Sequence, residues 1–206
     1  MERKGSKYLL ILLSGFFSLI YQTIWVKQLA LVIGIDIYAT SVVISGFFTG
    51  LAIGSYYFAK QIQSVKLAKY AYVALEFKVA IFSIILSLIL YKGSELYLFF
   101  DPFIGKAVLL IFWILIAIPA FFMAGTLLAM LKHVEQTQGN NELSAGRLYG
   151  INIIGAVLGT LSTPFLLIPI FGVIGTALAA SISNILLAVL ALFILTSKEQ
   201  IDPPNI

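Results

Sequence analysis

Six apolar stretches, each long enough to cross a bilayer, occupy nearly all of this 206-residue chain. They cover about 8–33, 38–59, 70–91, 106–131, 147–169 and 172–196. The hydrocarbon core of a bilayer takes about 20 apolar residues in a helix. A helix also satisfies its own backbone hydrogen bonds within the segment, which lipid cannot do for it. Only 11% of residues are charged, whereas a soluble domain carries about 25%. The outer surface must therefore meet lipid. The sequence predicts an all-α fold: a polytopic membrane helix bundle of six transmembrane helices in a single domain. Soluble sequence is too scarce to bury a second core.

Connections between the stretches are short. Gly34 to Ile37 and Pro169 to Gly172 read as tight turns. Lys92 to Gly105 reads as a loop broken by Asp101-Pro102. Lys132 to Gly146 reads as a second loop, with Gly139-Asn140-Asn141 at its tip and His133 solvated within it. Basic residues orient the bundle. With the N-terminus inside, the inner segments hold Arg3, Lys4, Lys7, Lys60, Lys66, Lys69, Lys132, Arg147 and Lys198, against Lys92 and Lys106 outside. Nine against two places both termini in the cytoplasm, with 197–206 as a short cytoplasmic tail of a multi-pass protein of the cytoplasmic (inner) membrane. The opening resembles a signal peptide, but its apolar run continues through Tyr21, Gln22 and Trp25 with no small-x-small site, so it reads as an uncleaved span. The net charge of +4 is accounted for by the inner loops and does not point to nucleic acid. There is no cysteine, which excludes disulfides and thiolate metal sites. No metal cluster, cofactor loop or acid–base dyad is legible.

Lipid tails are as apolar as leucine, so small residues must let helices approach closely. Gly46, Gly50 and Gly54 recur at i, i+4 and i+8 on one face of the second span. Gly155 and Gly159 do the same in the fifth. Both faces are expected to pack against another helix or to form a sliding or dimer seam. Gly50→Leu should break that contact, and Gly50→Ala should be mild. Pro119, Pro164 and Pro169 remove backbone donors and can kink their helices.

Ionisable groups inside a membrane are costly and mark candidate sites. Glu76 lies in the inner part of the third span, and Lys78 points to a different face of that helix. At 1.5 Å per residue, Glu76, Thr126, Arg147 and Asn152 fall at similar depth on three spans. They could form either a structural ion pair with hydrogen-bonded contacts or a site for a small cation or protons. Tyr21, Gln22, Trp25 and Tyr38 form an outer-half set, in which Tyr21 and Gln22 could bond across helices or line a cavity; Lys27 sits in the outer part of the first span. Lys27 and Lys78 could also snorkel to the nearer interface.

The runs Ser14-Gly15-Phe16, Leu19-Ile20-Tyr21-Gln22, Trp25-Val26-Lys27, Gly50-Leu51-Ala52 and Gly54-Ser55 carry a family likeness. So do Leu75-Glu76, Pro119 with Met123-Ala124-Gly125-Thr126-Leu127, Gly146-Arg147-Leu148-Tyr149 with Asn152, and Phe165-Leu166-Leu167-Ile168-Pro169. In this order they resemble the membrane domain of integral-membrane spermidine-synthase-like proteins. The family often has arginine where Lys27 stands and proline where Leu128 stands. In fused members a soluble aminopropyltransferase domain follows the membrane part, with a Gly-rich loop and acidic residues. Residues 198–206 contain neither, so no catalysis is expected from this chain.

Two functions follow as expectations. One is a transport or binding module for a small cationic metabolite of the polyamine kind, completed by a homodimer or another partner. The other is a non-catalytic membrane anchor or subunit for a separately encoded spermidine-synthase-like transferase.

Overall fold

The computed structural model describes residues 4–138 and 142–196. The Gly139-Asn140-Asn141 tip and the 197–206 tail lie outside the described residues. Seven α-helices follow in order: α1 (Lys4–Ile33), α2 (Asp36–Gln61), α3 (Ala68–Tyr91), α4 (Gly93–Ile104), α5 (Val108–Gln138), α6 (Glu142–Ser162) and α7 (Ile168–Thr196). No strand occurs among the described residues. Five helical stretches are long and apolar enough to cross a membrane: Gly5–Ile33, Asp36–Ser64, Ala68–Tyr91, Gly93–Thr137 and Leu143–Thr196. The molecule is thus an all-α bundle of the membrane-protein class. The fifth stretch takes in both α6 and α7, which the sequence divides into two spans.

Side-chain pairings give the direction of each helix. Leu10 pairs with Tyr72 and Trp25 with Ser87, so α1 and α3 run the same way. Gly155 faces Leu12 and Gly159 faces Phe16, so α6 also runs with α1. α7 runs against it: Tyr21 meets Ser181, whereas Leu10 and Ile11 share a cluster with Leu187, Ala188 and Ala191. The chain therefore reverses between α6 and α7. The helix runs on from α6 through a π-helical turn, Thr163–Leu167, which holds Pro164, into the first residues of α7. Gly172 breaks the helix with φ 69° and ψ 176°, a conformation open to glycine and costly for any residue with a Cβ.

The glycine faces make the closest helix contacts. Gly46, Gly50 and Gly54 lie against α5, facing Trp113, Ala117 and Phe121. A Cβ on Gly50 would collide with the Ala117 carbonyl oxygen and stand 2.7 Å from the Ala120 Cβ. The expectation that Gly50→Ala is mild is therefore corrected, because the obstacle is backbone and cannot rotate away. Gly155 and Gly159 meet the carbonyl oxygens of Leu12 and Phe16 on α1 in the same way.

Two expected loops are helical instead. Lys92 to Gly105 holds α4, with Pro102 near its end. There the missing N–H costs one bond, and Leu96, Tyr97 and Phe100 pack on the apolar core. Lys132 to Gly146 is taken up by the end of α5 and the start of α6, apart from the undescribed tip. The α5 extension delivers Gln136, whose Nε2 donates to the Val65 carbonyl at 2.9 Å and whose Oε1 accepts from the Ala68 N–H at 3.2 Å. These bonds tie down the α2–α3 connection. On the same extension His133 is buried, not solvated.

Candidate functional site

Buried apolar residues form two clusters. One, toward the C-terminal end of α1, includes Ile20, Val79, Met123 and Ala180; the other, toward its N-terminal end, includes Leu10, Leu75, Ala129 and Leu187. Between them, on four helices, stand Ser14 of α1, Glu76 of α3, Thr126 of α5 and Asn184 of α7. All four are buried, Glu76 to 1% exposure. Each residue falls between neighbours from the two clusters on its own helix, so the four meet at one level. Asn184 Nδ2 donates to the Glu76 backbone carbonyl at 3.1 Å, pinning α7 to α3. Ser14 Oγ and Thr126 Oγ1 lie 3.3 Å apart. The side chains of Ser14, Tyr72 and Asn184 stand next to the Glu76 carboxyl. Its Oε1 is nonetheless buried without a hydrogen-bond partner among the described residues.

The same α1–α3–α7 interface carries further polar groups toward the C-terminal end of α1. Tyr21, stacked on Trp25, donates from its hydroxyl to Ser181 Oγ at 3.3 Å. Trp25 Nε1 donates to Ser87 Oγ at 3.1 Å, and Gln28 Nε2 to the Ser87 carbonyl at 2.9 Å. Ser83 Oγ and Gln28 Oε1 are buried there without partners among the described residues. On α3 the positions 76, 83 and 87 share one face, as do 14, 21, 25 and 28 on α1.

The opposite side of α1 is open. A cavity of about 620 Å³ lies between α1, α2, α5 and α6. Gly15, Ser18 and Gln22 form its α1 wall. Phe47, Phe48, Leu51 and Ser55 come from α2, Met123, Thr126 and Leu128 from α5, and Tyr149, Asn152, Val157 and Thr160 from α6. No charged side chain among the described residues lines it. Asn152 is half-buried and donates from Nδ2 to the Ile11 carbonyl at 3.2 Å; Gly15 opposite leaves room for it. Thr126 belongs to both places, because it lines the groove and touches Ser14.

The sequence-derived candidates thus separate. Glu76 and Thr126 meet at one centre, Tyr21 lies on the same interface, and Gln22, Asn152 and Thr126 line the groove. Arg147 is exposed on α6 and Lys27 is exposed on α1. Lys78 is exposed too, its ammonium 5.5 Å from the centre of the Phe122 ring. Glu76 makes no ion pair among the described residues, and the polar groups beside it are hydroxyl and amide. Sequence reasoning missed Ser14, Tyr72, Ser87, Ser181 and Asn184. The available signal was their spacing: Tyr72 is one turn before Glu76, and Asn184 is the one amide in the apolar run of α7.

Comparisons of the chain with protein-family models, with curated proteins and with solved structures gave no match. The class the fold defines, a membrane-type helical bundle with a lateral groove, is what supports a functional reading.

Proposed function

We propose that this chain is a solute-binding module of a multi-pass protein of the cytoplasmic membrane, with the α1–α2–α5–α6 groove as its binding site. The bundle crosses six times with both ends inside. The antiparallel run of α6 and α7 supports a sixth crossing. A single straight helix over Leu143–Thr196 would reach about 80 Å, far beyond a hydrocarbon core of about 30 Å. The basic residues on the inner segments support the orientation.

The observation that carries the binding reading is the groove itself. Its volume lies within the range of about 300–1,000 Å³ usual for small-molecule sites. Its walls are mostly apolar, with a few polar groups at fixed places. Gln22 has no hydrogen-bond partner among the described residues, so its amide is free to meet a solute. With no carboxylate in the lining, the chemistry favours an uncharged amphipath: a hydrocarbon body with one amide, hydroxyl or comparable head. A polyamine would need its charges matched, and Glu76 does not line the groove.

The test is thermal stability of the purified protein with a series of straight-chain alkyl amides and, separately, spermidine. Alkyl amides should raise the melting midpoint of the native chain and not of Gln22→Leu. Stabilisation by spermidine that Glu76→Gln abolishes would overturn the groove reading and favour a cationic metabolite. No response to either, with an enzyme co-purifying from native membranes, would favour the anchor reading instead.

A further inference from the structure

We propose that Glu76 is a reversible proton-binding site, filled and emptied from the groove through the hydroxyls of Ser14 and Thr126. The inference deepens the groove reading by adding a coupling ion, and it rests on that groove as the route by which protons arrive.

The polarity of the hydrogen bonds carries the argument. A threonine hydroxyl has one proton to give. Thr126 donates its proton to the Met123 carbonyl at 2.8 Å. At the 3.3 Å contact with Ser14 either hydroxyl can donate: Thr126 accepts there while it serves the Met123 carbonyl, and donates when it turns away from it. When Ser14 donates to Thr126 it presents lone pairs to the carboxyl beside it. Lone pairs accept from a carboxylic acid, so this polarity suits Glu76 in its neutral form. Rotation of the Ser14 hydroxyl toward Glu76 produces the complementary arrangement, in which an ionised carboxylate accepts. The chain of hydroxyls has two polarities, and Glu76 has a protonation state to match each.

The route has both ends defined. Thr126 borders the groove, and the buried Oε1 of Glu76 has no partner among the described residues. A proton from a groove water enters at Thr126 Oγ1, whose own proton passes to Ser14 Oγ, and the serine proton passes to the carboxylate. In each hop one O–H bond forms as another breaks. The net change is one proton moved and one negative charge neutralised, with no electron transferred.

The titratable groups facing Glu76 do not compete for this role. From α1 it meets Tyr21, and from its own helix Tyr72. The α5 and α7 helices present Thr126 and Asn184, neither of which titrates. Lys69 lies seven residues away on α3, about 10 Å toward the inner end. His133 lies seven residues beyond Thr126 on α5, at about the same distance. A buried charge is costly unless it is hydrogen-bonded, so any change in the protonation of Glu76 has to be matched by a turn of the hydroxyls beside it.

The experiment is infrared spectroscopy of the full chain in lipid, following the carboxylic-acid C=O stretch through a pH titration and after a pH jump. It needs no solute, so it can fail while solute binding succeeds, and the reverse. The native chain should show a buried acid band that titrates reversibly and is missing in Glu76→Gln. Ser14→Ala with Thr126→Val keeps the carboxyl; there the band should still titrate, but about tenfold or more slowly, as for a barrier raised by one lost hydrogen bond. A band that never titrates while the protein stays folded would make Glu76 a neutral strut and overturn the proposal. Unchanged exchange in the double variant would overturn the Ser14–Thr126 route. Stabilisation by sodium at constant pH, lost in Glu76→Gln, would assign the site to a metal cation instead.

Discussion

The two sides of α1 handle polar groups in opposite ways. Toward α3 and α7, Tyr21, Trp25 and Gln28 are buried and each donates to a neighbouring helix. Toward α2, α5 and α6, Gln22 projects into a cavity with no protein partner among the described residues. The first side behaves as a core and the second as a site. Interhelical hydrogen bonds in membranes contribute modestly, about 0.6 kcal/mol on average. Their larger role on the α3–α7 side is to fix which residues meet. On the groove side the same residue types are left free to choose an external partner.

The strongest way to break this comparison is through the backbone contacts that set the groove's walls. Gly155→Ala and Gly50→Ala each push a methyl into a neighbouring carbonyl oxygen. Each should cost about 1–3 kcal/mol, read as a lower melting midpoint in detergent. Gly150→Ala, with nothing within 4 Å of its Cβ position, should be neutral or gain up to about 1 kcal/mol from helix propensity. Equal effects at the three positions would show that the seams are not where the structure puts them.

A middle-sized effect distinguishes the core-like side from the site-like side. Asn184→Leu removes the bond to the Glu76 carbonyl and should lower stability by about 1 kcal/mol. A stability unchanged by that substitution would mean that α7 is held by apolar packing alone. The smallest effect belongs to Gln22→Leu. With no partner to lose, it should leave the melting midpoint within about 0.5 kcal/mol of native while removing the response to alkyl amides. A large loss of stability there would make Gln22 a core residue and merge the two sides.

The Glu76 centre was only half legible. A carboxylate in an apolar run stands out, because burying it is expensive. Its neighbours do not: Ser14 and Thr126 are common in membrane helices, and their meeting depends on which faces of α1, α3 and α5 turn inward. Depth along the helix suggested Arg147 as a partner because rise per residue says nothing about rotation around the helix axis. The structure turns Arg147 outward and puts hydroxyls and amides around the carboxyl instead. His133 reads as solvated and the 92–105 stretch as a loop for a related reason. A polar residue or a proline is a local signal, and the packing of Val134, Leu96 and Phe100 against the core outweighs it.

By itself the sequence determined the all-α, membrane-type class of fold, its long apolar helices and the glycine faces. Those depend on quantities that add up along the chain: apolar length against bilayer thickness, and residue size at helical spacing. Only the tertiary structure decided that α1 separates a sealed polar interface from an open groove, and that Thr126 touches both. Those facts depend on how helices far apart in sequence rotate against one another. That rotation is set by all their contacts together, such as Gly155 on Leu12, Gly50 on Ala117 and Asn184 on Glu76, and no single stretch of sequence carries it.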